Sequence, residues 1–390
     1  MKELDRNKIS KYSPRWLKNC VKRIWPNWFY RQVSSVYSSR NPFSGEDEYV
    51  APDDKYPFTL GIIKQFRHYH KHYIAACHDI GVSCKVLDIS GSDWIDVIKN
   101  YNCDAYLIWP SSLTGPLRSM FDERLKVMVD DLGKIIYPLY NELWLWENKR
   151  RVRDWLIAHD VPHPKTWIFY DFDTAREFIK NANLPLVFKT NRGYAATGVT
   201  ILRTKREALR VTKRAITRGI HLQGSHPSDY QWGSAILQEY IPDVREIRVV
   251  KISESFFGYE KLKVGDFHSG SGLHKYPKLN SKLLDFVENL CKKENFTSMD
   301  VDVFITPDGN FLVNELQTVF GSLTSMVRFS NTNSAEHCVL DGKPGRMLKD
   351  RQTGQWIFKE GAFCQNALCN LRVQYVLDML SARGKLSNQD

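Results

Sequence analysis

The chain has 390 residues, which is enough for two or three domains of about 150 residues each. It is 43% apolar and 25% charged, which excludes a disordered, collagen-like or coiled-coil chain. We expect neither a transmembrane helix nor secretion, because the sequence lacks both a run of about 18 apolar residues and an N-terminal hydrophobic leader segment. The net charge is +11, but residues 1–40 hold ten Lys and Arg against two acids, so the basicity is concentrated in this segment.

The cysteine pattern indicates a reduced protein. None of the eight cysteines forms a C-x-x-C pair, so the sequence predicts neither a zinc ribbon nor a thioredoxin-type motif. In a chain of this length, we expect partly buried free thiols in a cytoplasmic protein.

Residues 1–55 are predicted to form a basic aromatic tail and linker. Three interpretations of this tail stay open. It can adsorb to an anionic membrane surface at the inner face of the membrane, or bind a nucleic-acid backbone and stack bases, although we regard nucleic acid as an improbable partner. It can also pack its aromatic rings on the protein body. The aromatic residues that alternate with its cations are Trp16, Trp25, Trp28, Phe29 and Tyr30.

Residues 56–140 are predicted to form a small Rossmann-like domain. Short apolar runs alternate there with helical stretches, and this alternation is typical of βαβ units with a parallel sheet. The domain has no G-x-G-x-x-G fingerprint, so dinucleotide binding is not indicated. The predicted strands are 58–63, 84–89, 103–109 and 134–138, and the predicted helices lie near 69–80, 93–100 and 118–131.

The remainder of the chain mixes helices and strands in three predicted segments, 141–225, 226–330 and 331–390. The strongest local signal is the turn Pro307-Asp308-Gly309, which predicts a hairpin between strands 299–306 and 310–317. Further strands are predicted at 166–170, 184–190 and 199–204, and again at 236–241, 245–252 and 256–263, with a break after the first of these three. Helices are predicted at 147–159, from Asp173-Thr174, from Lys205, at 279–294 and near 371–382. The C-terminal segment 354–366 is either an accessory strand pair or a packing arm.

Two lysines suit a nucleotide triphosphate. Lys149 opens a predicted helix, and Lys189 ends an apolar strand that leads into a turn of small residues at 190–198. An ammonium group that faces such a turn supplies charge, while the turn lets backbone N–H groups approach phosphate oxygens.

A second group of polar residues follows the strand that ends at Gln238-Glu239. Glu246, just beyond a break in the strand, can accept hydrogen bonds from ribose hydroxyls. Backbone groups of the break, at Glu239 and Ile241, can bind the edge of an adenine.

The hairpin carries the strongest chemical signal. Asp302 faces Glu315 and Gln317 across the turn, and the last two share one face because they are two residues apart. Their neighbours are apolar, and a buried carboxylate without a partner is costly, so this face requires a cation. Magnesium held by carboxylate and phosphate oxygens meets that requirement.

In this order, the features resemble the ATP-grasp superfamily over residues 58–330. The resemblance is strongest to carboxylate–amine ligases such as D-alanine–D-alanine ligase, glutathione synthetase and the ribosomal-protein glutamate ligases. The motifs are NK at 148–149, PLVFKTNRGYAATGV at 185–199, LQEYIPDVREIRV at 237–249, YEKLKVGDFHSGSG at 259–272 and DVFITPDGNFLVNELQTVFGS at 302–322. The implied fold class is α/β (α+β), an ATP-grasp fold preceded by a Rossmann-like parallel-sheet domain. The resemblance implies that 141–225 is the N-terminal ATP-grasp subdomain, that 226–330 is the C-terminal subdomain with the metal site, and that 331–390 is an accessory segment.

The resemblance also implies a role for each matching position. The residues implied to bind ATP are Lys149, Lys189, Gly193, Thr197, Gly198, Glu239, Ile241 and Glu246. Those implied to face the γ-phosphate, the acyl-phosphate and the substrate are Arg248, Lys261, Lys263, His268 and Ser269. Those implied to bind one or two Mg²⁺ ions are Asp302, Glu315 and Gln317, with Gly321 and Ser322 in the loop that follows. Two departures from the family pattern are Gln317, where Asn is usual, and Tyr194 in the middle of the phosphate turn.

The implied reaction is ATP-dependent ligation of a small-molecule carboxylate to an amine through an acyl-phosphate. Combined with the basic tail, this favours a carboxylated sugar or amino-acid precursor of a bacterial surface polysaccharide, and a plain cytoplasmic amino-acid ligase is equally compatible. Two alternatives stay open: an ATP-grasp kinase that phosphorylates a hydroxyl, and a catalytically degenerate ATP-binding module recruited by the tail. The oligomeric state is not predicted.

Overall fold

The computed structural model describes residues 48–53, 55–66, 69–111, 114–193, 196–222, 229–269, 273–319, 345–360 and 365–387. Most of the predicted N-terminal tail lies outside these residues, as do Tyr194, Gly321 and Ser322. The chain divides into two compact units. The first contains the described residues up to Tyr137, Asp229 and the chain from Val373 onward, and the second contains the rest of 138–372.

The first unit is built on a five-stranded sheet with the order β1-β3-β2-β4-β5. Strands β2 to β5 pair in parallel, and β1 pairs antiparallel with β3. The elements are β1 (Glu48–Tyr49), β2 (Thr59–Ile63), α1 (Lys71–Ile80), β3 (Ser83–Leu87), α2 (Trp94–Asn100), β4 (Ala105–Leu107), α3 (Gly115–Asp130) and β5 (Ile136–Tyr137). The predicted Rossmann-like parallel sheet is therefore confirmed.

Helix α3 begins three residues before its predicted start. The Thr114 hydroxyl accepts a hydrogen bond from the N–H of Leu117 at 3.4 Å, and a proline occupies the first turn of the helix. Both features are favourable at a helix N-terminus. They outweigh the weak helix propensity of Gly115.

The second unit begins with two helices and a four-stranded antiparallel sheet of order β6-β11-β7-β8. Asn148 caps α5 by accepting from the N–H of Arg151 at 3.2 Å, which sets Lys149 as the first residue of that helix. Helices α6 and α7 pack on this sheet through a core that includes Ala175, Ile179 and Ala208. The elements are α4 (Tyr140–Leu145), α5 (Lys149–Ala158), β6 (Thr166–Phe169), α6 (Phe172–Asn181), β7 (Leu186–Lys189), β8 (Val199–Leu202), α7 (Lys205–Thr217), β9 (Ile220–His221), β10 (Tyr230–Gln231) and β11 (Ala235–Glu239).

A seven-stranded antiparallel sheet follows, with the order β16-β15-β12-β13-β17-β18 and with β14 paired to β13. Its core contains apolar residues that alternate along the central strands, among them Val249, Val301 and Val303, packed on helix α8. The elements are β12 (Arg245–Ile252), β13 (Ser255–Lys261), β14 (His274–Lys275), α8 (Ser281–Lys292), β15 (Ser298–Ile305), β16 (Phe311–Gln317), β17 (Gly345–Lys349), β18 (Trp356–Glu360), a 3₁₀ turn (Gln365–Leu368) and α9 (Cys369–Ser387).

The predicted hairpin is present, and it contains a bulge. Strands β15 and β16 pair antiparallel on either side of a turn in which Gly309 has φ +83°. The register shifts between Asp302, which faces Glu315, and Val303, which faces Val313. Asn314 is therefore an extra residue on β16, and such a bulge changes the direction of the side chains around it.

None of the helices in the described ranges combines the length and the hydropathy that crossing a membrane requires. The part of residues 354–366 that the structure describes contains β18, which pairs antiparallel with β17. This segment therefore contributes one strand of a pair whose other strand, β17, precedes it, and its role as an accessory pair or a packing arm stays a prediction.

Candidate nucleotide-binding site

The second unit contains an open cleft between its four-stranded and seven-stranded sheets. It has apolar walls from Val187, Ile201 and Phe304 and a polar floor. The predicted site residues that line it are Lys149, Lys189, Gly193, Thr197, Glu239, Ile241, Glu246, Lys263, His268 and Glu315. Four others, Arg248, Lys261, Asp302 and Gln317, are buried or half-buried in the seven-stranded sheet, and Gly198 lies in the turn after β7.

The turn after β7 depends on its two glycines. Gly193 has φ +141° and Gly198 has φ +82°, conformations that side chains other than glycine rarely adopt. A Cβ at Gly198 would also collide with the Thr190 side chain. The turn is closed by the N–H of Thr190, which donates to the Gly198 carbonyl at 2.9 Å. The sequence therefore specifies a compact turn beside Lys189.

Two hydrogen bonds hold Lys149 against this turn. Its backbone N–H donates to the Asn191 carbonyl at 3.0 Å, and its Nζ donates to the Gly193 carbonyl at 3.0 Å. The Lys149 Nζ also lies 2.9 Å from the Glu315 Oε1. Burial lowers the pKa of Lys149, but Glu315 and Glu147 outweigh this effect, so the pKa is raised and the ammonium form is favoured.

Lys189 has a different electrical environment. Its Nζ donates to the Asn314 Oδ1 at 2.8 Å, and its side chain is buried. Burial, reinforced by repulsion from Lys149, lowers the pKa of Lys189 to about 8. The neutral amide does not offset the positive charge of the ammonium. The carboxylates of Glu315, Glu246 and Asp302 attract the ammonium, but they do not fully offset burial and the repulsion from Lys149. A phosphate oxygen would stabilise this buried cation further.

The end of the cleft near β11 is where the sequence motifs predict that an adenine binds. Lys165 is fixed to the strand end, because its N–H donates to the Glu239 Oε1 at 2.6 Å and its carbonyl accepts from the Glu239 N–H at 2.9 Å. The backbone from Tyr240 to Ile241 follows, against the apolar wall. Glu246 lines the cleft, but its Oε1 already accepts from the Lys261 Nζ at 2.7 Å.

Strands β12, β13 and β15 bring together a buried charge cluster. Arg248 donates to both carboxylate oxygens of Asp302, from Nε at 2.8 Å and from Nη2 at 2.9 Å. The Nε of Arg248 also lies 3.0 Å from the Asp300 Oδ2, and Lys261 donates to Asp302. Burial raises the pKa of Asp302, but Arg248 and Lys261 outweigh it and hold the pKa below its usual range. Burial raises the pKa of Asp300 well above its usual range.

The predicted metal donors are placed on the same hairpin, but they do not all face the cleft. Asp302 and Glu315 oppose each other across the strands, whereas Gln317 pairs with Asp300, and its Nε2 lies 3.5 Å from the Glu147 Oε1. Within the described ranges, no three His, Cys, Asp or Glu side chains form a group that could hold a metal ion. Two carboxylates and a neighbouring amide oxygen are nevertheless hard oxygen donors, which fit Mg²⁺ when phosphate oxygens complete the set.

The loop after β13 supplies the remaining predicted residues. The Nδ1 of His268 lies 3.1 Å from the Lys261 carbonyl, and the Ser269 Oγ lies 3.3 Å from the Lys261 Nζ. Lys263 and His268 both line the cleft. The loop therefore connects the buried charge cluster with the cleft, where a substrate acid would lie.

The sequence interpretation missed two side chains at the site, Asn314 and Asp300. Asn314 lines the cleft beside Glu315, although strict alternation places it on the opposite face of β16. Asp300 is fully buried next to Arg248. The signal that was available for Asp300 is its spacing of two residues from Asp302, which puts both carboxylates on one face of β15.

Comparisons with solved structures give several similar chains. The ADP complex of N5-carboxyaminoimidazole ribonucleotide synthetase is similar over 83% of this chain and 98% of that chain, with a TM-score of 0.52 and 15% identity. The biotin carboxylase domain of the Hydrogenobacter thermophilus 2-oxoglutarate carboxylase, in complex with MgADP, ADP and bicarbonate, is similar over 75% and 74%, with a TM-score of 0.52 and 13% identity. A RimK domain ATP-grasp protein from Sphaerobacter thermophilus is similar over 68% and 94%, with a TM-score of 0.49 and 15% identity.

No protein-family model and no curated protein matches the sequence. At 13–15% sequence identity, structural similarity is evidence about the fold alone. The two structures with TM-scores of 0.52 are similar to this chain over at least 75% of its length. The fold predicted from the sequence motifs is confirmed, and the chain has the ATP-grasp fold.

Proposed function

We propose that this protein is an ATP-dependent carboxylate–amine ligase that releases ADP. The observation that carries the proposal is that the half-buried Lys149 and the buried Lys189 meet Glu315 and Asn314 at one end of the cleft. Such a site offers positive charge and oxygen ligands, which suits phosphoryl transfer, where charge neutralisation and alignment dominate. Both structures that are similar at a TM-score of 0.52 were solved with ADP.

The proposed reaction has two steps. A carboxylate oxygen of the substrate attacks the γ-phosphorus, the bond from that phosphorus to the bridging oxygen breaks, and ADP leaves with an acyl-phosphate formed. The amine nitrogen then attacks the acyl carbon, phosphate leaves, and the amine releases a proton as the amide forms. Lys149 and Lys189 bind the phosphate oxygens, and the Gly193–Gly198 turn excludes water from them.

The charge cluster at the buried side of the cleft has a complementary role. Arg248 and Lys261 are balanced by Asp302 and Glu246, so their positive charges are fixed in position before any ligand arrives. Fixed charges of this kind stabilise a developing negative charge without reorganisation. Glu315, which lines the cleft, would hold Mg²⁺, which would neutralise negative charge on the phosphate oxygens. The other two predicted ligands, Asp302 and Gln317, would have to give up their present contacts to join it.

The proposed substrates are a small carboxylate and an amine, and the acid is proposed to be a carboxylated sugar or amino-acid precursor of a bacterial surface polysaccharide. The basic aromatic segment 1–40 supports a cytoplasmic enzyme that works beside the inner face of an anionic membrane. Co-sedimentation of the full chain with anionic vesicles tests this location, with neutral vesicles as the control. Equal recovery with both kinds of vesicle would contradict it.

The activity is tested by ADP release with pooled carboxylates and amines. We expect release that requires an acid and an amine together. Glu315→Gln should lower the rate by about a hundredfold or more, because it removes the carboxylate that pairs with Lys149 and that would hold Mg²⁺ at the phosphate end of the cleft. Glu177→Gln, which makes the same change on the exposed surface of α6, should leave the rate unchanged.

Each alternative activity gives a different result in the same assay. Release that requires only an alcohol would indicate a kinase, and nucleotide binding without release would indicate a binding module. Either outcome would contradict the ligase proposal. An unchanged rate in Glu315→Gln, with the variant folded by thermal melt, would remove the role proposed for Glu315.

A further inference from the structure

The bulge in the β15–β16 hairpin directs two consecutive side chains into the cleft. In a regular strand, consecutive side chains point to opposite faces of the sheet. Asn314 and Glu315 nevertheless both line the cleft, because Asn314 is the extra residue where the register shifts. Bulges frequently lie next to active sites, where they redirect a side chain.

Each of these two residues holds one of the lysines. The Glu315 Oε1 lies 2.9 Å from the Lys149 Nζ, and the Asn314 Oδ1 accepts from the Lys189 Nζ at 2.8 Å. The first contact is an ion pair, so the charge of Lys149 is offset. The second partner is a neutral amide, so the charge of Lys189 is not offset by it.

The difference matters because Lys189 is only 8% exposed. A buried ammonium is tolerated when hydrogen bonds replace its hydration shell. Among the described residues, Asn314 is the side chain to which the Lys189 Nζ donates. An amide oxygen at this position orients the ammonium and leaves its full charge for a ligand, whereas a carboxylate would cancel that charge.

We infer that Asn314 is a positioning residue that presents the Lys189 ammonium to the phosphate oxygens of the nucleotide without itself adding a negative charge. The inference rests on the proposed nucleotide site and adds a residue to it. It predicts that the side chain at position 314 controls the contribution of the phosphates to binding, without affecting recognition of the base or the ribose.

The test compares ADP with adenosine, which lacks phosphates, by isothermal titration calorimetry on the full chain. Asn314→Ala removes the partner of Lys189, and we expect about tenfold weaker ADP binding. Asn314→Asp keeps the side-chain shape but places a negative charge beside the Lys189 ammonium, and we expect about hundredfold weaker ADP binding. Both variants should bind adenosine within about twofold of the wild-type affinity, since the base-binding end of the cleft is unchanged.

Asn181→Asp is the matched control, because it makes the same charge change at the exposed end of α6 and should leave both affinities unchanged. If the wild type and both Asn314 variants bind ADP with equal affinity, the inference about Asn314 is overturned, but the proposed function is not. Parallel losses for ADP and adenosine would also overturn the inference, since they would indicate a merely structural role. A wild-type protein that binds neither ADP nor ATP would instead contradict the proposed function.

Discussion

Replacing Lys189 with methionine should weaken nucleotide binding and stabilise the free protein at the same time. A pKa of about 8 in place of 10.5 means that the folded protein disfavours the ammonium by about 3 kcal/mol relative to water. Lys189→Met removes this free-energy cost and keeps most of the buried hydrocarbon of the side chain. It also removes the hydrogen bond to Asn314, which costs about 1–2 kcal/mol.

Removing the disfavoured ammonium gains more than losing the hydrogen bond costs, so the free energy of unfolding at pH 7 should rise by about 1–2 kcal/mol. For a unit of this size, each kcal/mol corresponds to a rise of about 2–4 °C in Tm. Loss of a charge-assisted hydrogen bond to phosphate should weaken ADP binding by about tenfold to a hundredfold. The two effects have opposite signs because the lysine is placed for the ligand and not for the stability of the fold.

The assay is a pair of thermal melts, with and without ADP, on wild type and Lys189→Met. The free wild type binds fewer protons at Lys189 than the unfolded chain does between pH 8 and 10.5, so its stability should rise across this range. The stability advantage of Lys189→Met should therefore shrink as the pH is raised from 8 to 10. A variant that is less stable than wild type at pH 7, or that binds ADP as tightly, would refute the reasoning.

Three further predictions concern other parts of the second unit. Burial raises the pKa of Glu142 to about 7, although four hydrogen bonds from the chain oppose this shift. The folded protein therefore binds more protons than the unfolded chain between pH 4.5 and 7, so the free energy of unfolding should fall by about 3 kcal/mol as the pH rises across that range. Glu142→Gln should abolish this slope in thermal melts, and an unchanged slope would contradict the assignment. Gly198→Ala should cost about 2 kcal/mol and weaken ADP binding, because the added Cβ strains the backbone and meets Thr190. Gly309→Ala has a similar φ and open space, so it should cost about 1 kcal/mol and leave ADP binding intact, and equal effects on binding would contradict the role of the turn. Asp302→Asn should lower ADP release about a hundredfold, since it breaks the ion pairs that fix Arg248 and Lys261, and a wild-type rate in a steady-state assay would contradict that role.

The sequence predicted most of the elements that carry the site, because each has a local physical cause. The Asp308-Gly309 turn specifies the hairpin, and the alternation of apolar residues after it specifies which face is buried. Asn148 caps the helix that begins at Lys149. The small residues around Gly198 specify the turn beside Lys189. These signals lie within a few residues of the feature that they predict.

The remaining features depend on contacts between residues that are distant in sequence. The bulge at Asn314 is a property of how two strands pair, and the composition of β16 contains no sign of it. The ion pairs of Arg248 with Asp300 and Asp302 join β12 to β15, across more than 50 residues. Gln317 was placed in the metal set by its spacing from Glu315, whereas the structure places its amide beside Glu147. Its predicted role as a metal ligand stays a prediction.

A crystal structure of the protein with Mg²⁺ and a non-hydrolysable ATP analogue tests the central claim most directly. The account predicts that the β- and γ-phosphates lie between Lys149 and Lys189, with the ion bound at Glu315 and the adenine against the strand end at Glu239. A nucleotide bound elsewhere, with the ammonium groups of both lysines out of reach of any phosphate oxygen, would contradict it.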